Sequence, residues 1–382
     1  MSKIMILSDS YKHSASSKQI GEWLKEGFLM QDKHLDIDVF PVADGGEGTL
    51  EALLSSLGGV KKQTKVPGIF GEIISVSYGK NESSIFIESA EVIGIEKTGN
   101  LNPWSASSYG LGVLMKRLII EDKPQKIYIG IGGTATNDGG IGFLQGLGAD
   151  VLDNKSEQVT KGMKGLFLVN SITLSAVDDL FKEVEVIVLS DVQNPLCGPT
   201  GATYLFGPQK GVEEKDLASV DVWMEKFAIK LSQHLGVSLQ EKPGSGAAGG
   251  LGLALMALPN VTFQSGVESI LEMAGIEKKL KRYDLVITGE GRMDGQSQLG
   301  KVPIGIAKMT RESHVPLFAI VGSQSRNQKD NYKLGIDLII DCVNEPMSLN
   351  QAIENVEVLV KNASQTAYYA YKLIEKFGEK ER

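Results

Sequence analysis

Features of secreted and membrane proteins are scarce in this sequence. It contains two cysteines among its 382 residues, Cys197 and Cys342, which excludes a disulfide framework and favours a reducing compartment. The apolar start of the chain is too short for a signal peptide. The apolar stretch 247–258 has 12 residues and is interrupted by three glycines, well short of the ~20 residues that a membrane-spanning helix needs. We therefore expect a cytoplasmic protein that does not associate with membranes.

Basic residues are in deficit as well. The chain has 39 lysines and arginines against 47 aspartates and glutamates, a formal net charge of −8. Nucleic acids and anionic membrane surfaces are bound through an excess of positive charge, so this balance argues against both as partners. It is compatible with a small anionic ligand held by a few local cations. We expect small-molecule partners, and the sequence leaves a homo-oligomer open.

The motifs of several large enzyme classes are missing. The four histidines are scattered, with no HExxH and no Cys/His spacing for zinc, and the GxSxG, HRD and DFG signatures do not occur. Two glycine patterns, beginning at Gly130 and Gly244, imitate the dinucleotide fingerprint, but they lack its strand–turn–helix context. The segment 295–301 has P-loop spacing, but Val302 stands where Mg²⁺ needs a hydroxyl ligand. An NAD-dependent dehydrogenase and a P-loop enzyme are therefore disfavoured.

Strand-like and helix-like segments alternate along the chain, which is typical of an α/β fold with mostly parallel strands. The clearest strands are 4–7, 39–42, 127–131, 184–189, 285–288, 317–321 and 338–340. The clearest helices are 17–30, 48–57, 109–120, 216–234, 300–312 and 349–375. The segment 73–87 differs, because its two strand-like runs flank Lys80-Asn81-Glu82 and predict an antiparallel hairpin.

We expect two α/β domains with discontinuous boundaries. Residues 1–65 and 280–382 would share one Rossmann-like, doubly wound parallel sheet. Residues 66–279 would form an inserted second α/β domain that contains the hairpin.

Carboxylates follow the predicted strands directly or after a short loop. They are Asp9, Asp44, Glu88, Asp138, Asp191 and Glu290. Open α/β sheets bind their ligands outside the carboxyl ends of the strands. Each acid by itself is equally well explained as the N-cap of the next helix. Six acids in equivalent places favour a ligand site.

Glycine is the outlier of the composition, with 44 residues, about 11.5% against the usual ~7%. Glycine-rich stretches at 45–48, 130–140 and 244–252 accompany the acids. Glycine lets backbone N–H groups approach a phosphate, although close packing of helices on a sheet also uses glycine. The cations near these loops are Lys12, Lys210, Arg292 and Lys301. Acids and cations around glycine loops favour phosphoryl transfer.

Six motifs in order closely resemble those of the bacterial type 1 glycerate kinases. They are PVADGGEGT (41–49), GIGGTATNDGGIGFLQGLG (130–148), SDVQNPLCGPTGA (190–202), FGPQKG (206–211), PGSGAAGGLG (243–252) and DLVITGEGRMDGQSQLGK (284–301). The resemblance runs from Asp9 to beyond Gly322. It implies a two-domain α/β kinase that transfers the γ-phosphoryl group of ATP to D-glycerate with Mg²⁺. The 2-hydroxyl is favoured over the 3-hydroxyl as acceptor.

Roles for individual residues are expected on this basis. Lys12 or Arg292 would hold the carboxylate of glycerate, and Asp44 or Asp191 would orient or deprotonate the attacking hydroxyl. Asn194 follows Asp191 at a spacing that lets both reach one ligand.

The remaining expected roles concern the metal and the nucleotide. Glu290 and Asp294 would hold Mg²⁺. The residues expected to bind the phosphates of ATP are Gly132, Gly133, Thr134, Asn137, Gly246, Gly249 and Lys301.

Among the departures of the chain from the family pattern, two are at positions where the substrate contacts would differ. His13 follows Lys12 where the family has glycine, and Leu111 replaces a threonine of the family's TTYGTG element. A kinase of a related hydroxy acid is therefore one alternative. A non-catalytic sensor of a small phosphorylated acid is another, and the retained acids argue against it.

Overall fold

The computed structural model describes residues 2–99, 101–293, 302–324 and 332–378. The chain divides into two compact units. Unit 1 comprises Met1–Asp44, Glu51–Leu57 and Val267–Arg382, and unit 2 comprises Gly45–Leu50 and Gly58–Gly266.

The N-terminal part of unit 1 contains β1 (Lys3–Ser8), α1 (Ser17–Gln31) and β2 (Asp36–Val39), and most of α2 (Thr49–Leu57). In unit 2 the first elements are β3 (Val60–Pro67), β4 (Ile73–Lys80), β5 (Ser84–Glu88), α3 (Ala90–Ile93), α4 (Tyr109–Asp122), β6 (Lys126–Gly130) and α5 (Ile141–Leu147). They are followed by β7 (Asp150–Leu152), α6 (Met163–Leu166), β8 (Ser171–Thr173), α7 (Ser175–Leu180), β9 (Glu185–Leu189), α8 (Ala202–Phe206), α9 (Glu214–Leu235), α10 (Leu251–Met256) and β10 (Val261–Gln264). The C-terminal elements are α11 (Gly266–Met273), α12 (Ile276–Leu280), β11 (Leu285–Met293), α13 (Val302–Ser313), β12 (Leu317–Gln324), β13 (Leu338–Asp341), α14 (Leu349–Glu354) and α15 (Val356–Gly378).

The sheet of unit 1 has five parallel strands in the order β13-β12-β11-β1-β2. The register places Ile4 of β1 opposite Leu285 of β11 on one side and Ile37 of β2 on the other. From β1 the chain steps first to β2 and later to β11 on the opposite side. The strand order therefore reverses between β1 and β11, as in doubly wound folds.

Helices cover both faces of this sheet because its strands are apolar on both faces. Ile4 and Ile6 point to the face covered by α1 and α15, and Met5 and Leu7 point to the face covered by α11, α12 and α13. All four side chains are fully buried. Burial of each contributes roughly 1.5–3 kcal/mol of transfer free energy, so these strands form the centre of a three-layer unit.

The main sheet of unit 2 has six strands in the order β10-β9-β6-β5-β4-β3. β5, β6, β9 and β10 are parallel, and β4 pairs antiparallel with β5 and with β3. The predicted hairpin is confirmed, with Gly79 opposite Phe86. The edge strand β3 carries Lys61, Lys62 and Lys65, and charged side chains of this kind protect an edge against pairing with another chain.

The expected α/β class with parallel sheets is confirmed, although β11 and β12 extend beyond their predicted ends, to Met293 and Gln324, and two further elements differ more strongly from the prediction. The second strand is Asp36–Val39 rather than 39–42. Its main-chain bonding ends where the Phe40 N–H donates to the Ile6 carbonyl oxygen, because Pro41 has no N–H to continue it. The long helix predicted over 349–375 is two helices, α14 and α15.

The expected domain division into 1–65 with 280–382 and 66–279 stays a prediction. None of the helices among the described residues combines the length and the apolar composition needed to cross a membrane.

Candidate active site

Side chains at the carboxyl ends of the unit 1 strands line one cavity of about 600 Å³. Asp9 follows β1 directly, and Glu290 and Arg292 lie near the end of β11. These two strands are the neighbours at which the strand order reverses, which is where doubly wound sheets bind ligands. Lys12 and Asp44 also line the cavity. The structure therefore brings four predicted site residues together with Asp9.

The loop between β1 and α1 is held by main-chain hydrogen bonds. The Asp9 N–H donates to the Gly289 carbonyl oxygen at 2.8 Å, and the Ser10 N–H donates to Asp9 Oδ1 at 2.7 Å. The Tyr11 hydroxyl donates to the Ile320 carbonyl oxygen at 2.6 Å. These bonds attach the loop to β11 and β12, so the Asp9 carboxylate faces the cavity from a fixed backbone.

His13 forms the tip of this loop in the left-handed region, with φ of 65°. Hydrogen bonds in both directions between the main chains of Tyr11 and Ala15 close the turn. A side chain in this conformation costs roughly 1–2 kcal/mol, which glycine avoids. His13 is exposed and lines the cavity, whereas Leu111 is fully buried in the core of unit 2. Of His13 and Leu111, only His13 is therefore at a ligand-accessible surface.

The segment that precedes Asp44 is tied to β1 through Ser17, the first residue of α1. Ser17 Oγ donates to the Ser8 carbonyl oxygen at 2.7 Å and accepts from the Val42 N–H at 3.1 Å. Ser17 is buried, so water does not compete for these bonds. The polypeptide segments leading to Asp9 and Asp44 thus share one anchoring side chain.

The electrostatics of the cavity are dominated by its acids. Burial raises the pKa of Asp9 well above its usual range, and the negative charges of Asp44 and Glu290 raise that pKa further. The hydrogen bond from the Ser10 N–H and the positive charge of Lys12 act in the opposite direction. Asp9 therefore takes up a proton more readily than an exposed aspartate, and a cation entering the cavity would favour its ionised form.

The acids of unit 2 make a different kind of contact. Glu88, at the end of β5, accepts hydrogen bonds from the N–H groups of Gly48 and Leu50, each at 3.1 Å, at the N-terminus of α2. Burial raises its pKa to about 7, while the hydrogen bond from Leu50 opposes this shift. Glu88 therefore binds the start of α2, a helix that precedes it in the chain, and does not cap the next helix, α3, as the sequence alone suggested.

Asp138 joins the N-termini of two helices. It accepts hydrogen bonds from the N–H and Oγ of Ser108, just before α4, and from the N–H of Gly140, just before α5. Burial raises the pKa of Asp138, and these hydrogen bonds oppose the shift. Asp138 is fully buried, so it too acts as a structural cap.

Asp191 lies in unit 2 and is half-buried. Its Oδ1 accepts hydrogen bonds from Ser265 Oγ at 2.6 Å and from the Gly266 N–H at 3.1 Å, at the start of α11. Asn194 Nδ2 donates to the Thr200 carbonyl oxygen at 2.8 Å and closes the loop 194–200. The catalytic role of Asp191 and the binding role of Asn194 stay predictions.

The glycine-rich stretches at 130–140 and 244–252 pack against each other. The Gly139 N–H donates to the Gly249 carbonyl oxygen at 3.0 Å. A Cβ on Gly249 would lie 2.1 Å from the Thr136 carbonyl oxygen, and one on Gly246 would lie 2.1 Å from that of Pro195. Close packing therefore explains why Gly246 and Gly249 are glycines.

Gly132 and Gly133 differ in their surroundings. A Cβ on Gly132 would lie 2.6 Å from the Gly46 Cα, which is again close packing. Gly133 is exposed, has φ of 71°, and nothing lies within 3.4 Å of its Cβ position. Of the predicted phosphate-binding glycines, Gly133 is the one that is exposed.

Comparison with known proteins decides the family. The sequence profile described as "Glycerate kinase family" matches residues 4–372. The chain belongs to the glycerate kinase family.

Similar proteins cover nearly the whole chain. A glycerate kinase of Halalkalibacterium halodurans is 36% identical over 96% of this chain and 97% of its own length. A glycerate 2-kinase of Escherichia coli is 36% identical over 95% of this chain and 96% of its own length. The crystal structure of a candidate glycerate kinase 2 from Salmonella typhimurium LT2 superposes with a TM-score of 0.82 at 34% identity, covering 98% and 99% of the two chains. The prediction of a kinase that phosphorylates glycerate is confirmed at the level of the family.

As a member of the glycerate kinase family, the chain uses small-molecule substrates, with ATP as phosphoryl donor and a divalent metal implied by the reaction. Within the described residues, no group of three His, Cys, Asp or Glu side chains has metal-site geometry. Glu290 is 4% exposed and lines the cavity, and a carboxylate oxygen is a ligand that suits a hard divalent cation. Its predicted partner Asp294 and the predicted phosphate ligand Lys301 lie outside the described residues.

A buried cluster of hydrogen-bonded side chains brings together residues that the sequence did not predict to lie in contact. The Lys210 ammonium donates to the Thr136 carbonyl oxygen at 2.8 Å and to Thr134 Oγ1 at 3.3 Å. Asn137 Nδ2 donates to Thr203 Oγ1 at 3.2 Å. Thr134 and Asn137 are both buried, so their side chains are bound within this protein cluster. The FGPQKG motif was the sequence signal for Lys210, but its partners follow only from the fold.

Proposed function

We propose that this chain is a type 1 glycerate kinase of the cytoplasm that transfers the γ-phosphoryl group of ATP to D-glycerate with Mg²⁺. The observation that carries the proposal is the cavity of unit 1, where three carboxylates and two cations from separate strand ends meet. A phosphoryl transfer needs cations for the substrate's negative charges and carboxylates for a proton and a metal. Membership of the glycerate kinase family indicates the reaction, and these carboxylates and cations are suited to it.

The acceptor is bound through its carboxylate. Lys12 and Arg292 are exposed side chains on the lining of the cavity, and either positions the carboxylate of glycerate by a charge-assisted hydrogen bond. His13, next to Lys12, stands at the same surface and is the residue through which substrate choice would differ from that of the relatives.

The proton of the attacking hydroxyl passes to a carboxylate, for which Asp44 and Asp191 are the candidates. The hydroxyl oxygen then forms a bond to the γ-phosphorus, the bond between that phosphorus and the β–γ bridging oxygen breaks, and ADP leaves. Mg²⁺, when bound, neutralises the charge on the phosphate oxygens. Glu290 would hold it, together with Asp294.

We propose the 2-hydroxyl as the acceptor. The support is the E. coli relative, which is named a glycerate 2-kinase and is 36% identical over 95% of this chain. The test is incubation of the purified protein with ATP, Mg²⁺ and D-glycerate, followed by ³¹P NMR. A resonance of 2-phosphoglycerate is expected, and its splitting by one adjacent proton distinguishes it from the 3-phospho product, which has two. If ATP is consumed with another hydroxy acid but not with D-glycerate, the substrate assignment is wrong.

The sensor alternative makes the opposite prediction. A protein that only senses a small phosphorylated acid would bind 2-phosphoglycerate and leave ATP intact in the same reaction. The carboxylates retained around the cavity favour the kinase, because binding an anion gains nothing from nearby acids.

A further inference from the structure

The cavity of unit 1 has two ends of different chemistry. Its polar end carries the carboxylates and cations described above, at β1 and β11. Its other end is formed by Cys342 and Val343 after β13, by Met347, and by one face of α14 and the start of α15. This second end is lined mostly by carbon atoms.

Helix geometry explains the apolar wall. Leu349, Ala352 and Ile353 line the cavity, and their spacing of three and four residues within α14 places them on one face, while Val356, the first residue of α15, lines the cavity beside them. Asn350, on the same helix, is exposed and is not among the lining residues. The smallest of the four side chains, that of Ala352, leaves room in the middle of the wall.

Size and polarity show which of the two substrates, glycerate or ATP, suits the apolar end of the cavity. A cavity of about 600 Å³ is in the range of ~300–1,000 Å³ found for cofactor-sized ligands. Glycerate is a three-carbon acid with oxygen on every carbon, so it fills only the polar end and has no apolar surface for the other. ATP has a large, flat, weakly polar ring system joined to a highly charged chain, and the two ends of the cavity match these two parts.

We propose that the apolar end of the unit 1 cavity, walled by Cys342, Val343, Met347, Ala352, Ile353 and Val356, binds the adenine ring of ATP. Burial of the ring against these side chains supplies the binding free energy. The sugar and phosphates then extend toward the polar end, where the one of Lys12 and Arg292 that does not hold the carboxylate of glycerate offsets their charge. The inference rests on the proposed function, because it takes ATP as the donor.

The test fills the apolar end with a larger side chain. Ala352→Phe is expected to weaken ADP binding, measured by isothermal titration calorimetry, by about tenfold or more. The KM for ATP should rise in parallel, while the KM for D-glycerate stays within about twofold, because the acceptor occupies the other end. Asn350→Phe is the matched control, with the same new side chain on the outer face of α14, and should bind ADP like the wild type. Ala352→Leu gives the same direction with a smaller change in shape if the Phe variant does not fold.

The outcomes separate this inference from the proposed function. If the wild type phosphorylates D-glycerate and Ala352→Phe binds ADP unchanged, the adenine site is wrong and the kinase assignment stands. If the wild type leaves D-glycerate untouched but ADP binding is sensitive to Ala352→Phe, the nucleotide site stands and the acceptor is wrong. A variant that loses affinity for D-glycerate and not for ADP would assign the apolar end to the acceptor and overturn the inference.

Discussion

The ammonium group of Lys210 lies 2.8 Å from the main-chain carbonyl oxygen of Thr136 and donates a hydrogen bond to it. Lys210 is 3% exposed, and its second acceptor is Thr134 Oγ1 at 3.3 Å. Both acceptors belong to the loop between β6 and α5 that also carries Gly133. The buried amino group of Lys210 therefore holds the conformation of the loop with the most accessible of the predicted phosphate-binding glycines.

The first prediction concerns the pH dependence of stability. Burial lowers the pKa of Lys210 to about 7, from 10.5 in the unfolded chain. Between these two values the unfolded chain binds more protons than the folded one, so the free energy of unfolding rises with pH. Lys210→Met should lose this contribution, and its urea midpoint should rise less than that of the wild type between about pH 7 and pH 9.

Lys226→Met, on the exposed face of α9, is the matched control and should follow the wild type at each pH. Parallel pH curves for the wild type and Lys210→Met would contradict the assignment of the pH dependence to Lys210.

The second prediction is a gain of stability at Asp9. The pKa of Asp9 is raised well above its usual range by burial and by the neighbouring acids, so its ionised form destabilises the folded protein. Its contribution to stability is present below about pH 3.8 and is lost as the pH rises through the folded-state pKa. Asp9→Asn keeps the Oδ1 that accepts from the Ser10 N–H. We expect a higher melting temperature at neutral pH, by a few degrees, and a difference that shrinks as the pH falls.

Activity should change in the opposite direction. Asp9→Asn removes one of the three carboxylates whose negative charge would favour a bound metal in the cavity, and kcat/KM is expected to fall by about 10–100-fold. A variant that is neither more stable nor less active would contradict the electrostatic account of the cavity.

The third prediction separates the two candidate proton acceptors. Asp191→Asn is expected to abolish turnover without unfolding the protein, because the amide Oδ1 still accepts from Ser265 Oγ and the Gly266 N–H. Loss of a general base costs about 10²–10⁴ in kcat. Full activity of Asp191→Asn together with an inactive Asp44→Asn would assign the proton transfer to Asp44 and leave Asp191 as a cap of α11.

The fourth prediction tests the close packing of the glycine loops. Gly249 and Gly236 both have φ near 70°, but only at Gly249 would a Cβ meet another atom, the Thr136 carbonyl oxygen at 2.1 Å. Both alanine variants pay roughly 1 kcal/mol for the left-handed conformation. Gly249→Ala should lose at least about 2 kcal/mol more, since one of two backbone segments must move. Equal urea midpoints for the two variants would show that the loops are not packed tightly there.

Much of the fold was predictable because the signals were local. The buried strand β1, the amphipathic helix α1 and the β4–β5 hairpin appear where the residue pattern placed them. The second strand was predicted at the wrong place because the residues of 39–42 are apolar. Most of them belong to the segment that leads to Asp44 and lie beyond the end of β2. The edge strand β3 has too little apolar pattern to be predicted, since five of its eight residues are exposed.

The sequence by itself determined the α/β class, the acids at strand ends and the resemblance to a kinase family, because each rests on residue type and short spacing along the chain. Only the tertiary structure decided which acids share a cavity and which cap helices. Asp9, Asp44 and Glu290 meet because β1 and β11, almost three hundred residues apart in sequence, pair at the point where the strand order reverses. Glu88 and Asp138 follow strands in the same way but lie against backbone N–H groups at helix starts. An acid at the end of a strand therefore either lines the cavity or binds the start of a helix. Which of the two occurs depends on what the fold places beyond the end of that strand.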